Sequence, residues 1–328
     1  MPTLRALLQM DKYFVYTIVL NYRNYLDTIE CVESLLLMDE ASTNRIVVVD
    51  NNSPNESCFE IENWLRKSKQ KYAVFDHLPL DSEIAIDANI LFVQHNQNNG
   101  YASGNNVGIK TAILDINCKY VWILNNDTTV DFNALARQKS YFDHSASLNA
   151  NLGMLGSKIL YYHNPTIVQC IGCRYNKVLG LPRQIGLNAT IEDLKYDEKP
   201  FDYVSGASIF TSKDIFTQVG NFNEDFFLYF EEIDFATRLK SHGYTVGVCL
   251  ESIVYHKEGA STKDDPKSAL ASPFSDYHFT RSKLIFTKKF YPEYLFYNYL
   301  SLTLVILNRI RRRQFENIWP IIKAGLKK

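Results

Sequence analysis

RIVVVDNNS, residues Arg45–Ser53, is the stretch whose reading decides the fold. Consecutive β-branched residues that stop at an aspartate, then Asn-Asn-Ser, predict a strand buried on both faces and ending in a polar turn. Working outward, Val15–Leu20 (VYTIVL), Ile90–Gln94 (ILFVQ) and Tyr120–Asn125 (YVWILN) repeat the theme. Ile29, Val32, Leu35 and Leu36 recur at helical spacing between the first two strands. Val107, Ala112, Ile113 and Ile116 do so less cleanly between the last two. Apolar strands alternating with amphipathic helices predict an α/β fold, with a mostly parallel sheet covered on both faces. Farther on, Tyr203–Phe210 and Thr245–Leu250 read as strands and Ile233–Ser241 as a helix, while Tyr175–Lys199 reads as a long loop.

The polar residues fall in one place. Asn21, Asp50–Ser53 and Asn125–Asp127 each follow the carboxyl end of a strand, the edge at which open α/β sheets bind ligands. One such cluster is a turn; three on one edge point to a nucleotide and phosphate site.

Composition narrows the class. With 46% hydrophobic and 22% charged residues the chain reads as globular, and a net charge of −1 gives no reason to expect nucleic-acid binding. The six cysteines are scattered, which fits reduced thiols. Cys170 and Cys173 form a CxxC without the second pair that a structural zinc site needs. The opening MPTLRALLQMDKYF has no signal-peptide pattern, and no run reaches the roughly 18 apolar residues of a spanning helix.

Several segments carry chemistry. NNGYASGNNVG, Asn98–Gly108, spaces Gly100, Gly104 and Gly108 four apart. It fits either a tight strand-to-helix turn or a close approach to a ligand. Asp127 ends a buried strand as a carboxylate able to hold a divalent cation, Mg or Mn, against a departing diphosphate; a helix cap is the plainer reading. Glu231, Glu232 and Asp234 open a helix beside Phe226, Phe227, Tyr229 and Phe230. Acids there serve the helix dipole, or, desolvated by aromatics, act as a general base. His256 follows an apolar strand and suits either packing or a metal site.

Taken together these stretches resemble glycosyltransferase family 2, and more closely its rhamnosyltransferase-like branch. The resemblance runs from Tyr16 to Thr262 through TIVLNYRN, VVVDNNS, NNGYASGNNVGI, ILNNDTTV and the long segment Val204–Tyr244, closing with YHKEGAST. It implies a GT-A fold and a single displacement with inversion. It implies that Asp50 reads the nucleotide base beside Asn21, with Asn52, Gly100, Asn105 and Asn126 also in the nucleotide-sugar site. Asp127, the last residue of NND, and His256 would hold metal or diphosphate. Glu232 matches the catalytic base, with Glu231 as understudy and Asp234 in support. The family has Asp where this chain has Glu232, and the extra methylene moves the carboxylate by about 1.5 Å.

The resemblance divides the chain into a catalytic domain, 1–262, with a nucleotide-sugar half (1–128) and an acceptor half (129–262), and a helical basic extension, 263–328. In that extension Tyr294–Leu307 is apolar except for Asn298 and Ser301, which share a stripe with Asn308 and Arg312, broken by Val305; RIRRR follows at Arg309–Arg313. Such a helix either docks on the core or lies in the interface of an anionic membrane. The expectation is an enzyme at the cytoplasmic face of an inner membrane. Its donor is a nucleotide sugar, with dTDP-rhamnose leading, and its acceptor a cell-surface or polyprenyl-linked glycan. A sugar-phosphate nucleotidyltransferase is disfavoured because Asn21–Asp27 (NYRNYLD) contains no glycine. A non-catalytic nucleotide-sugar scaffold is favoured only by Glu at 232.

Overall fold

The computed structural model describes residues 13–77, 88–148, 150–195, 199–257 and 271–326. In chain order the first half contains β1 (Phe14–Asn21), α1 (Tyr25–Leu36), β2 (Asn44–Asn51), α2 (Ser57–Lys67), β3 (Tyr72–Phe75), β4 (Ile90–His95), α3 (Tyr101–Leu114) and β5 (Cys118–Asn125). There follow β6 (Thr128–Val130), α4 (Ala134–Ser147), β7 (Leu152–Tyr161), β8 (Asn164–Cys170), β9 (Cys173–Asn176), β10 (Leu181–Gln184), β11 (Ser208–Ser212), α5 (Lys213–Val219), α6 (Glu231–Ser241) and β12 (Thr245–His256). The extension is α7 (Pro273–Phe290), α8 (Leu295–Arg311) and α9 (Ile318–Leu326).

One ten-stranded sheet has the order β3-β4-β2-β1-β5-β11-β7-β12-β6, with β8 paired to β7. Strands β3, β4, β2, β1 and β5 are parallel; β11 is antiparallel to both β5 and β7; β12 is parallel to β7. The two reversals cancel, so β12 runs in the direction of β1 and β5. His256 therefore arrives at the same carboxyl edge as Asn21, Asp50 and Asn125.

Period-two alternation divides the core. Val15, Val19, Val48 and Trp122 face α1, α2 and α4, while Tyr16, Ile18, Val49 and Ile123 face α3 and the second half. The glycines of α3 serve that packing: a Cβ on Gly104 would lie 2.5 Å from Leu20 Cδ1, and one on Gly108 2.4 Å from Ile18 Cγ2. Small residues every fourth position thus let the helix sit close on β1.

Two sequence expectations need correcting. The segment 175–199 is not a plain loop: β10 pairs with β9 as an antiparallel hairpin. Its alternation is too short, and too broken by Gly180 and Pro182, to register as strand. The strand expected at Tyr203–Phe210 begins only at Ser208. The expected domain boundary at 262, and the end of YHKEGAST, lie outside the described residues.

Candidate active site

The carboxyl edge of the sheet is built from strand ends that hold one another. Asp50 is fully buried; its Oδ2 accepts from Asn21 Nδ2 at 2.6 Å and Ser53 Oγ at 2.7 Å, and its Oδ1 from Ser53 N at 2.8 Å. Thr28 Oγ1 donates to Asn21 Oδ1 (2.7 Å) and accepts from Asn126 Nδ2 (3.0 Å). Asn21, Asp50 and Asn126 thereby form one connected network. Asn52 stands exposed beside it in the left-handed region, φ 57°.

Gly100 has φ +98°, and a Cβ there would fall 2.0 Å from the Phe227 carbonyl oxygen, so only glycine fits. Tyr101 N donates to that oxygen at 2.8 Å. Asn106 Nδ2 donates to Phe222 O (2.9 Å) and Glu224 Oε1 (2.8 Å), and Asn106 Oδ1 accepts from Phe222 N (3.0 Å). The turn of α3 thus clamps the loop that leads into α6. Asn105 is fully buried and donates to Tyr101 O at 3.0 Å; its Oδ1 has no partner among the described residues.

Asp127 and His256 meet: Nε2 lies 3.1 Å from Asp127 Oδ1. On the other side of the ring, Nδ1 lies 2.8 Å from Gln169 Oε1, and Gln169 is buried. A carbonyl oxygen there fixes the proton on Nδ1 and turns the Nε2 lone pair toward a carboxylate. Two acceptors face one another, an arrangement that a cation, or a second proton on the ring, makes favourable. Among the described residues no group of three or more His, Cys, Asp or Glu forms a metal cage. Gln169 on β8 gave no signal in the sequence; neither did Tyr101, whose hydroxyl bonds Asn125 Oδ1 (3.1 Å) and Gly206 O (2.9 Å) and so ties the carboxyl edge to the second half.

The acidic cluster separates into three environments. Tyr229 and Phe230 both have positive φ, 67° and 74°, immediately before α6. Two such residues in succession are costly outside glycine, and they turn the first acids of α6 inward. Glu232 lines a cleft of about 720 Å³ together with Tyr203, Ser205, Tyr229 and Phe279. Its Oε2 is shielded from solvent without a hydrogen-bond partner among the described residues, and burial pushes its pKa up to about 7. Glu231 is buried away from the cleft lining, its pKa raised by burial first and then by the charge of Glu232. The helix N-terminus favours both anions, but by only about 2 kcal/mol at most, and burial prevails. Asp234 is fully buried with both oxygens engaged, Oδ2 by Arg238 Nε (2.7 Å) and Oδ1 by Lys289 Nζ (2.7 Å). It joins α6 to α7 and does not line the cleft.

The sheet order and its flanking helices are those of a GT-A fold. Residues 15–151 match the family model Glycosyl transferase family 2. The chain is 25% identical over 241 residues, 72% of this chain and 75% of the relative, to the low-salt glycan biosynthesis hexosyltransferase Agl10 of Haloferax volcanii. It is 35% identical over 81 residues to the N-acetylglucosaminyl-diphospho-decaprenol L-rhamnosyltransferase of Mycobacterium tuberculosis, a match covering 25% of this chain and 26% of that one. The mannosyltransferase PcManGT of Pyrobaculum calidifontis, solved with GDP-Man and Mn2+, shares the fold at TM-score 0.54 and 12% identity, over 95% of this chain and 86% of that one.

Proposed function

We propose that this chain is an inverting glycosyltransferase that moves a hexose, with rhamnose from dTDP-rhamnose the leading candidate, onto a lipid-linked or cell-surface glycan. Three features together support it. A shielded carboxylate with a raised pKa, Glu232, opens on a cleft, while Asp127 and His256 converge at the sheet edge, and Tyr101 bridges the two halves.

The chemistry follows from these groups. Glu232 takes the proton from an acceptor hydroxyl. The oxygen then attacks the anomeric carbon from the face opposite the nucleotide, and the electron pair of the broken carbon–oxygen bond leaves on the diphosphate. Burial makes Glu232 a stronger base than an ordinary carboxylate, and Glu231, off the cleft lining, supports its field. Asp234, saturated by two cations, is assigned to scaffold. Asp50, Asn21 and Asn52 are assigned to the base and ribose, with Asn126, Gly100 and Asn105 shaping that pocket. Asp127 and His256 would hold Mg or Mn, whose Lewis acidity would offset charge on the departing diphosphate. The relatives' names point to glycan and polyprenyl-linked acceptors, and the basic extension to the cytoplasmic face of a membrane.

The test is a panel of sugar nucleotides with and without Mn²⁺, read by thermal shift, followed by NMR of the product's anomeric configuration. A metal-dependent shift with one donor and an inverted product support the reading. Retention of configuration, or no shift with any donor, sinks it.

A further inference from the structure

The helix α8 buries two polar residues, Asn298 and Ser301, beside Leu302, and leaves most of its apolar residues exposed. Asn298 is fully buried, its Nδ2 donating to Lys177 O (3.2 Å) and Val178 O (3.1 Å). Ser301 Oγ donates to Leu179 O at 3.2 Å. These carbonyls belong to the turn between β9 and β10, so the polar stripe of α8 clasps that hairpin. The opposite side carries apolar residues in water, among them Phe296 at 72% exposure, Leu304 at 64% and, on α9, Trp319 at 66%. Arg311, Arg312, Arg313 and Lys323 are exposed around them. An uncovered apolar face rimmed by cations fits an anionic lipid leaflet.

The clasped hairpin leads from that face to the cleft. Along β10, Leu181 and Arg183 share one side of the strand by period-two alternation. Val178, Leu179, Leu181 and Leu187 are each more than a third exposed, and Leu187 already lines the cleft. Arg183 and Lys195 line the same cleft as Glu232, and neither has a carboxylate partner among the described residues. From Leu181 to Arg183 is about 7 Å at the rise of a strand, and α8 adds about 10 Å. An apolar track thus begins near the lipid-facing side and ends at two cations beside the base.

We propose that Arg183 and Lys195 form a subsite for the phosphate headgroup of a prenyl-type lipid acceptor, with Leu181 and Leu187 taking the start of its chain. This deepens the transfer reading above by assigning the acceptor's anion to cleft residues distinct from Asp127 and His256. Both cations are exposed, so neutralising them leaves the fold intact.

The experiment is equilibrium binding of farnesyl diphosphate and of inorganic pyrophosphate to the full chain in EDTA, which silences metal-assisted binding at the donor edge. The wild type should bind farnesyl diphosphate at least tenfold more tightly than pyrophosphate. Arg183→Gln/Lys195→Gln should weaken farnesyl diphosphate at least tenfold, and Leu181→Ser/Leu187→Ser should weaken it without changing pyrophosphate. Asp127→Ala should change neither. No binding by the wild type, or a loss that follows Asp127→Ala and not Arg183→Gln/Lys195→Gln, overturns the subsite. Because no turnover is measured, failure of sugar transfer and failure of this subsite are read separately.

Discussion

The carboxyl edge of the sheet and the C-terminal helices solve burial in different ways. At the edge, apolar strands fill the interior and polar residues gather at the strand ends, where Asn21, Asp50 and Ser53 satisfy one another. In α8 Asn298 and Ser301 go inward beside Leu302, while Phe296, Leu300, Leu304 and Leu307 face outward. The inward side of α8 meets backbone carbonyls of a hairpin, which need donors more than they need contact. Hydrophobicity alone therefore does not say which side of a helix is buried. The chemistry of the surface it meets decides.

The largest effect is expected in the cleft. Glu232→Gln should lower kcat by about a thousandfold, within the range typical of a general base, with donor affinity unchanged by calorimetry. In the wild type kcat should rise with pH through about 7, because the base works deprotonated and burial holds its pKa there. Near-normal turnover by the Gln variant would remove Glu232 from the mechanism. At the donor edge, Asp127→Ala should weaken Mn²⁺-dependent nucleoside diphosphate binding by roughly 10- to 100-fold, measured by titration; unchanged affinity would place the diphosphate elsewhere.

On α8 the two sides should respond in opposite senses. Asn298→Ala strands buried carbonyls and should cost about 1–3 kcal/mol in denaturant unfolding. Leu304→Ser, on the outward side, should stay within about 0.5 kcal/mol of wild type yet weaken flotation with anionic vesicles. Equal stability losses would mean that both faces are packed.

The smallest effect is expected at Lys283, which is buried on α7 and donates to Ser301 Oγ at 2.5 Å. Burial pulls its pKa down to about 8. A depressed pKa means the stability it contributes is present above the unfolded value and lost as pH falls through about 8. The thermal midpoint of Lys283→Met relative to wild type should therefore rise by about 2–4 °C between pH 9.5 and pH 7. A constant difference would mean that Lys283 stays charged throughout.

Much was legible in the chain because it is local. Periodicity marked β1, β2, β4 and β5, and turn residues marked the strand ends. The run of acids marked the start of α6. Tyr294–Leu307 was read as a helix with Asn298 and Ser301 on one stripe, and both are buried there. The stripe does not continue through Asn308 and Arg312, which are exposed. It continues through Arg309, whose Nε and Nη2 each bond Asp276 at 2.7 Å. The stripe thus follows its partners on α7.

What the sequence determined by itself is the alternating α/β pattern, the polar carboxyl edge and the residue types available for chemistry. These follow from steric and hydrophobic preferences within a few residues. No helix among the described residues is long and apolar enough to cross a membrane. Only the tertiary structure decided that Gln169 orients His256, that Glu232 and not Asp234 faces the cleft, and that α8 turns its polar side inward. Each depends on contacts between residues far apart in the chain: 87 positions from Gln169 to His256, 55 from Asp234 to Lys289 and 120 from Val178 to Asn298. Hydrogen bonds and desolvation act through space over a few ångströms, so the pairing of distant segments sets them.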